Sequence, residues 1–280
     1  NADFVCECSD IDDIIIFRRF GGDDRRRNTQ YGAGMTTRST GYEERFYRSI
    51  SHPAELVCYE VKHKETDLFC CTGHDLSGFI KDRVLAYRYQ LEEYIKVNPS
   101  FRESLVPVSD DPVAPPIVRE MVRASAEVGV GPMATVAGAI SEYIGKDISD
   151  LTQDFIIENG GDIYLRTSVE RVIQVHAGAS PFSEHIGIRI PSSPGPRGVC
   201  TSSGTVGHSL SFGRADAVCV LGCSALFADG LATYLGNIVK KKDDIARAIE
   251  EGQKFSGITA ILIILGDQLG AWGDLDIVET

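Results

Sequence analysis

Val57, Tyr59 and Val61 alternate with polar neighbours, and this period of two predicts a strand over 55–62. Short strands over 43–49 and 66–72 flank it, so a meander opens the folded part. The period then changes. Leu76, Phe79, Ile80, Val84, Tyr87, Leu91, Tyr94 and Ile95 recur at three and four residues, which predicts a long helix capped by Asp75. Residues 98–116 read as a proline-rich loop, Pro115-Pro116 start a second helix through 126, and a third helix follows Pro132. Beyond it, strands are predicted over 155–157, 172–175, 185–190, 217–221 and 260–265, with helices over 226–239 and 243–251. Strand and helix do not alternate regularly enough for a barrel or a simple nucleotide-binding sheet. The expected class is α+β, with helices on one side of largely antiparallel strands.

Composition narrows the function. Lys+Arg total 28 against 40 Asp+Glu, a formal charge of −12, which argues against a nucleic-acid partner. The longest apolar run, 260–265, is strand-sized and far short of the ~20 residues a membrane span needs. The eight cysteines contain no Cys-x-x-Cys pair, and the N-terminal residues are acidic and mixed. They are read as reduced thiols of a cytoplasmic protein. Residues 1–41, with the cluster Asp23-Asp24-Arg25-Arg26-Arg27, are expected to form a weakly tied arm, and 42–280 the folded domain.

Four segments hold more Gly, Ser, Thr and Ala than a packed core requires. In Gly129-Val130-Gly131-Pro132, two glycines precede a proline at a helix start, so free N–H groups would face an anion. The alternative is a small-residue helix packed closely on a neighbour. The match to Gly-x-Gly-x-x-Ala does not make a dinucleotide fingerprint, because a helical pattern precedes it. In Asn159-Gly160-Gly161-Asp162 an apolar strand ends in a hairpin signal, and the glycines would also admit a flat ring or diphosphate. Cys200-Thr201-Ser202-Ser203-Gly204, continuing to His208-Ser209, supplies hydroxyls for phosphate oxygens. Ser211 stands where a hydrolase elbow would close on glycine, so that reading is set aside. Asp229 and Thr233, four apart on a helix, form a partial shell for Mg2+, with an N-cap aspartate as the alternative.

Together these segments resemble the soluble branch of the ApbE-like superfamily, distantly similar to FAD-dependent flavin transferases, over residues 42–280. The resemblance implies an α+β fold of two interleaved halves around a central ligand cleft. It implies Mg2+ on Asp229 and Thr233, and FAD or FMN near Gly129, Gly131, Asn159, Gly160, Gly161, Asp162, Thr201 and Gly204. Ser202, Ser203, His208 and Cys200 are the candidate catalytic residues. Ala137-Gly138 stands where flavin transferases carry Lys-Gly. The leading expectation is a cytoplasmic protein binding magnesium and a flavin or other diphosphate-bearing nucleotide; FMN transfer to an acceptor protein and a homodimeric assembly are left open. Two alternatives are carried. One is sulfur handling through a low-pKa Cys200, as in sulfide assimilation or a persulfide carrier. The other is a noncatalytic binding protein on the same fold.

Overall fold

The computed structural model describes residues 4–8, 15–19, 55–204 and 212–280. The strand expected over 43–49, the expected boundary at 41/42 and His208 lie outside them.

Thirteen strands and six α-helices are described. In chain order they are β1 Phe4–Cys8, β2 Ile15–Arg19, β3 Val57–His63, β4 Thr66–Thr72, α1 Ser77–Val97, α2 Pro99–Glu103, α3 Pro116–Val128, α4 Val136–Ile148, β5 Phe155–Asn159, β6 Asp162–Thr167, β7 Arg171–Gln174, β8 Ile186–Ile190, β9 Ser193–Ser202, β10 Ala217–Gly222, α5 Ala225–Ile238, α6 Asp244–Gly252, β11 Ile258–Leu265, β12 Gln268–Gly273 and β13 Asp276–Glu279. Ten strands form one sheet in the order β1-β2-β12-β11-β10-β9-β6-β5-β4-β3, and β13-β8-β7 form a second. Each pairing is antiparallel, as in the expected α+β class. Within the stretch expected as an arm, β1 and β2 extend the large sheet through β12.

Strands β10 and β11 are covered on both faces, which explains their unbroken apolar runs in an antiparallel sheet. Along β10, Val218 and Val220 face the helices, while Ala217, Cys219 and Leu221 face the three-stranded sheet. Ile261 and Ile263 of β11 repeat the division against Ala260, Leu262 and Ile264. On the helical side, Ile80, Val84, Tyr87 and Leu91 are the buried stripe of α1.

Several expectations need correction. The loop over 98–116 contains α2, because Pro99 starts a turn and buried Phe101 packs edge-on against Tyr94 at 5.3 Å. The helix after Pro132 opens as a 3-10 turn, Pro132–Thr135, and α4 begins only at Val136. Asp75 accepts the Ser77 N–H at 2.8 Å and holds the turn before α1, whose N-cap is Leu76. The thiols are not all reduced: Cys58 lies directly opposite Cys71 in the β3/β4 register and is bonded to it. Cys70, Cys200 and Cys219 are buried and free, and Cys223 is exposed and free. No helix among the described residues is long and apolar enough to cross a membrane.

Candidate functional site

The site is built where α4, α5, the β5/β6 turn and the end of β9 meet. Ser224 caps α5, its hydroxyl accepting the Phe227 N–H at 3.1 Å. Glu142 of α4 reaches the same helix end, accepting from Ser224 Oγ at 2.7 Å and Leu226 N at 3.0 Å. Lys146 Nζ pairs with the other Glu142 oxygen at 2.7 Å, so this buried carboxylate is fully engaged. Two glycines allow the approach. A Cβ on Gly138 would stand 2.3 Å from Ala225 O, and one on Gly198 2.5 Å from Ala225 Cα. This close packing places Asp229, inside α5 and not at its cap, against the start of α4. Its Oδ2 accepts the Gly138 N–H at 2.9 Å. Burial, opposed by the N–H groups of Gly138 and Ala137, pushes the Asp229 carboxyl up to about 7. Thr233 follows one turn later and is half-buried.

The hairpin arrives from the sheet. Gly160 (φ 69°) and Gly161 (φ 104°) occupy both central positions of the two-residue turn, a conformation that L side chains adopt only with strain. The flanking pair is Asn159 and Asp162. Asn159 Nδ2 donates to Ala137 O at 3.2 Å, next to the residue that holds Asp229. Asp162 lies opposite Cys200 in the β6/β9 register, and the Cys200 thiol donates to Ala225 O at 3.1 Å. Asp162 Oδ1 is buried and has no hydrogen-bond partner. Burial first, then the charge of Asp229, hold the Asp162 carboxyl well above the usual carboxylate range, against hydrogen bonding with the Cys200 side chain and from the Thr201 N–H.

The structure brings together Asn159, Gly160, Gly161, Asp162, Cys200 and Asp229, and assigns other residues to packing. Gly129 terminates α3 in the left-handed conformation. Gly131 is pressed on the neighbouring backbone, a Cβ there standing 1.9 Å from Ser104 O, so the close-packing alternative describes this segment. The expected anion cradle is spent on packing. The Gly161 N–H is also used, donating to Glu158 Oε1 at 3.1 Å. Cys200, Thr201 and Ser202 end strand β9 and are not a loop. Alternation therefore separates them: Cys200 faces the helices, whereas the Thr201 hydroxyl donates to Cys219 Sγ of the opposite face at 3.2 Å. Ser202 is buried and Ser203 half-buried. Gly204 is packed on Gly213, with its N–H on Ala215 O at 2.9 Å. The expected thiolate at Cys200 is reversed, since burial and the charges of Asp162 and Asp229 raise its pKa well above the usual thiol value. A surface cavity of about 700 Å³ lies elsewhere, lined by residues including Asp154, Arg166, Ser168 and Ser193 and by none of the candidate residues.

Sequence reasoning missed Glu142 and Ser224. A glutamate four residues before Lys146 in a helix of small and apolar residues was the available signal for the first, and a serine just before a helix for the second.

The donors fit magnesium: the oxygen atoms of Asp229 and Thr233 are hard ligands of the kind Mg2+ takes. Among the described residues no group of three or more His, Cys, Asp or Glu is placed to hold a metal ion.

A family model described as AbpE bacteria matches residues 49–269. A UPF0280 protein of Methanococcus aeolicus is 41% identical over 200 residues, covering 70% of this chain and 81% of that protein. One of Methanothermobacter thermautotrophicus is 43% identical over 212 residues, covering 72% and 78%. The crystal structure of the apo flavinyl transferase ApbE of Pseudomonas stutzeri is similar in fold, with TM-score 0.51 and 14% identity over 78% of this chain and 94% of that one.

Proposed function

The chain belongs to the AbpE bacteria family, and on that premise we propose that it binds magnesium and, through it, a flavin or other diphosphate-bearing nucleotide where α4, α5 and the β5/β6 turn converge. One observation carries the reading. The converging groups include three buried carboxylates, Glu158, Asp162 and Asp229, and at Asp162 and Asp229 burial favours the protonated form until a cation binds. Two N–H groups of the glycine segments are used within the protein, that of Gly138 by Asp229 and that of Gly161 by Glu158. An anion approaching such a site is repelled unless a cation intervenes.

Asp229 and Thr233 would hold the ion, and bound magnesium supplies charge neutralisation at a diphosphate. The protein's own part is to fix those donors. Gly138 N–H orients one Asp229 oxygen, and Glu142 secures the helix end from which Asp229 projects. Ser202 and Ser203 at the end of β9 would orient the nucleotide. Likeness in fold to a flavinyl transferase supports FMN transfer as the activity. In that reaction a P–O bond forms between the FMN phosphorus and an acceptor hydroxyl as the diphosphate bridge of FAD breaks, AMP leaves, and the hydroxyl proton passes to solvent.

The test is titration of the metal-stripped protein with FAD, with and without Mg2+. The expected result is binding at least about tenfold tighter with Mg2+, an enhancement that Asp229→Asn abolishes. FAD affinity indifferent to both Mg2+ and Asp229→Asn, or no binding in either condition, overturns the proposal.

A further inference from the structure

Asp162 has no function in the arrangement so far, yet it occupies its centre. Its burial is nearly complete, at 7% exposure. The β6/β9 register puts its side chain on the face where Cys200 meets Ala225 of α5. Its hairpin partner Asn159 binds Ala137, adjacent to Gly138, which binds Asp229. Asn159 and Asp229 thus meet α4 at adjacent residues, Ala137 and Gly138, and Asp162, the hairpin partner of Asn159, lies near enough for the charge of Asp229 to act on it. The group's hydrogen bonds, with the Cys200 side chain and from the Thr201 N–H, leave Oδ1 unmet, and a buried carboxylate oxygen without a partner is costly enough that its retention calls for one. No cationic side chain pairs with it in the hydrogen-bond or ion-pair network of the described residues, whereas the neighbouring buried Glu142 has Lys146.

We propose that Asp162 is a second carboxylate of the cation site, its unpartnered Oδ1 binding the divalent ion directly or through one of the ion's waters. The proposal rests on the magnesium reading of Asp229 and extends it from a helix-borne pair to a site joining sheet and helix. It also gives the Gly160-Gly161 turn a purpose, because the two-residue turn sets Asn159 and Asp162 side by side. The occupant is a hard divalent cation, Mg2+ or its analogue Mn2+, and not a thiophilic metal.

The experiment is Mn2+ titration of the full chain without nucleotide, with free Mn2+ followed by electron paramagnetic resonance. It is run on the wild type, Asp229→Asn, Asp162→Asn and Asp162→Ser. Asn keeps the shape of Asp162 and an acceptor for the Thr201 N–H, and Ser provides a smaller second variant should the amide fold poorly. The expected result is weakening by at least about tenfold in each Asp162 variant, with the melting temperature in EDTA equal to or above that of the wild type. A merely structural Asp162 would leave Mn2+ affinity unchanged. If the wild type binds Mn2+, Asp229→Asn abolishes binding and a folded Asp162 variant binds as the wild type does, this inference falls and the magnesium reading stands. If the wild type binds no Mn2+, both fall.

Discussion

Gly138→Ala isolates the contact on which the site's geometry depends. Gly138 lies in the first turn of α4, where a Cβ would stand 2.3 Å from Ala225 O, 2.7 Å from Ala225 C and 2.8 Å from Asp229 Cβ. Two of these atoms are backbone and cannot rotate away, so the helices themselves must separate. Gly78 occupies the first turn of α1 with nothing within 4 Å of its would-be Cβ, and makes a matched control. Replacing either glycine by alanine gains about 0.5 kcal/mol from reduced backbone freedom and better helix propensity. Only position 138 also meets overpacking, and contact with fixed backbone puts it near the upper end of the usual range, about 3 kcal/mol. Gly78→Ala should therefore stabilise by about 0.5 kcal/mol and Gly138→Ala destabilise by about 2.5, a gap of more than about a hundredfold in the folding equilibrium. Urea unfolding followed by circular dichroism and by the fluorescence of Trp272, the chain's one tryptophan, measures both. Gly138→Ala should also weaken cation binding, because the helix that must move carries Asp229. Equal stabilisation by the two substitutions would refute the close packing of α4 on α5, and with it the placement of Asp229.

Glu142→Ala removes the acceptor of Ser224 Oγ and Leu226 N and the partner of Lys146, and should cost about 2–3 kcal/mol in urea unfolding; a loss below about 0.5 kcal/mol contradicts its assigned role. The Cys58–Cys71 bond closes a hairpin of sequence separation 13, so reduction should lower stability by about 3 kcal/mol, and peptide mapping under nonreducing conditions should recover the linked pair. Identical unfolding with and without reductant would argue against it. Among the described free cysteines, alkylation of the native protein followed by mass spectrometry should modify exposed Cys223 first and buried Cys200 only on unfolding; rapid labelling of Cys200 would restore the sulfur-handling reading.

Most helices and the apolar strands β5, β8, β10 and β11 were legible from local pattern, because a buried stripe leaves a period of three and four and an edge strand such as β3 leaves a period of two, whereas β6 and β12 were not predicted. β9 was not legible. Its run Ser193–Ser202 holds two prolines and two glycines and reads as a loop, and Gly198 belongs there because α5 lies against it. The Gly160-Gly161 turn was predictable, since positive φ is a property of the local chain, and the spacing of Asp229 and Thr233 on one helix needed no more than that. Local pattern could not choose between a glycine that admits a ligand and one that admits a neighbouring backbone. Gly131 and Gly138 look alike in sequence, and their contacts 27 and 87 residues away, with Ser104 and Ala225, emerge only on folding. Nor could it foresee the disulfide, which follows from the register of β3 on β4, or the nearness of Asp162 to Asp229, which follows from the packing of helix on sheet. Periodicity acts over a few residues, while register and interhelical distance are set by burial of the whole core, so the elements belong to the chain and the site to its tertiary packing.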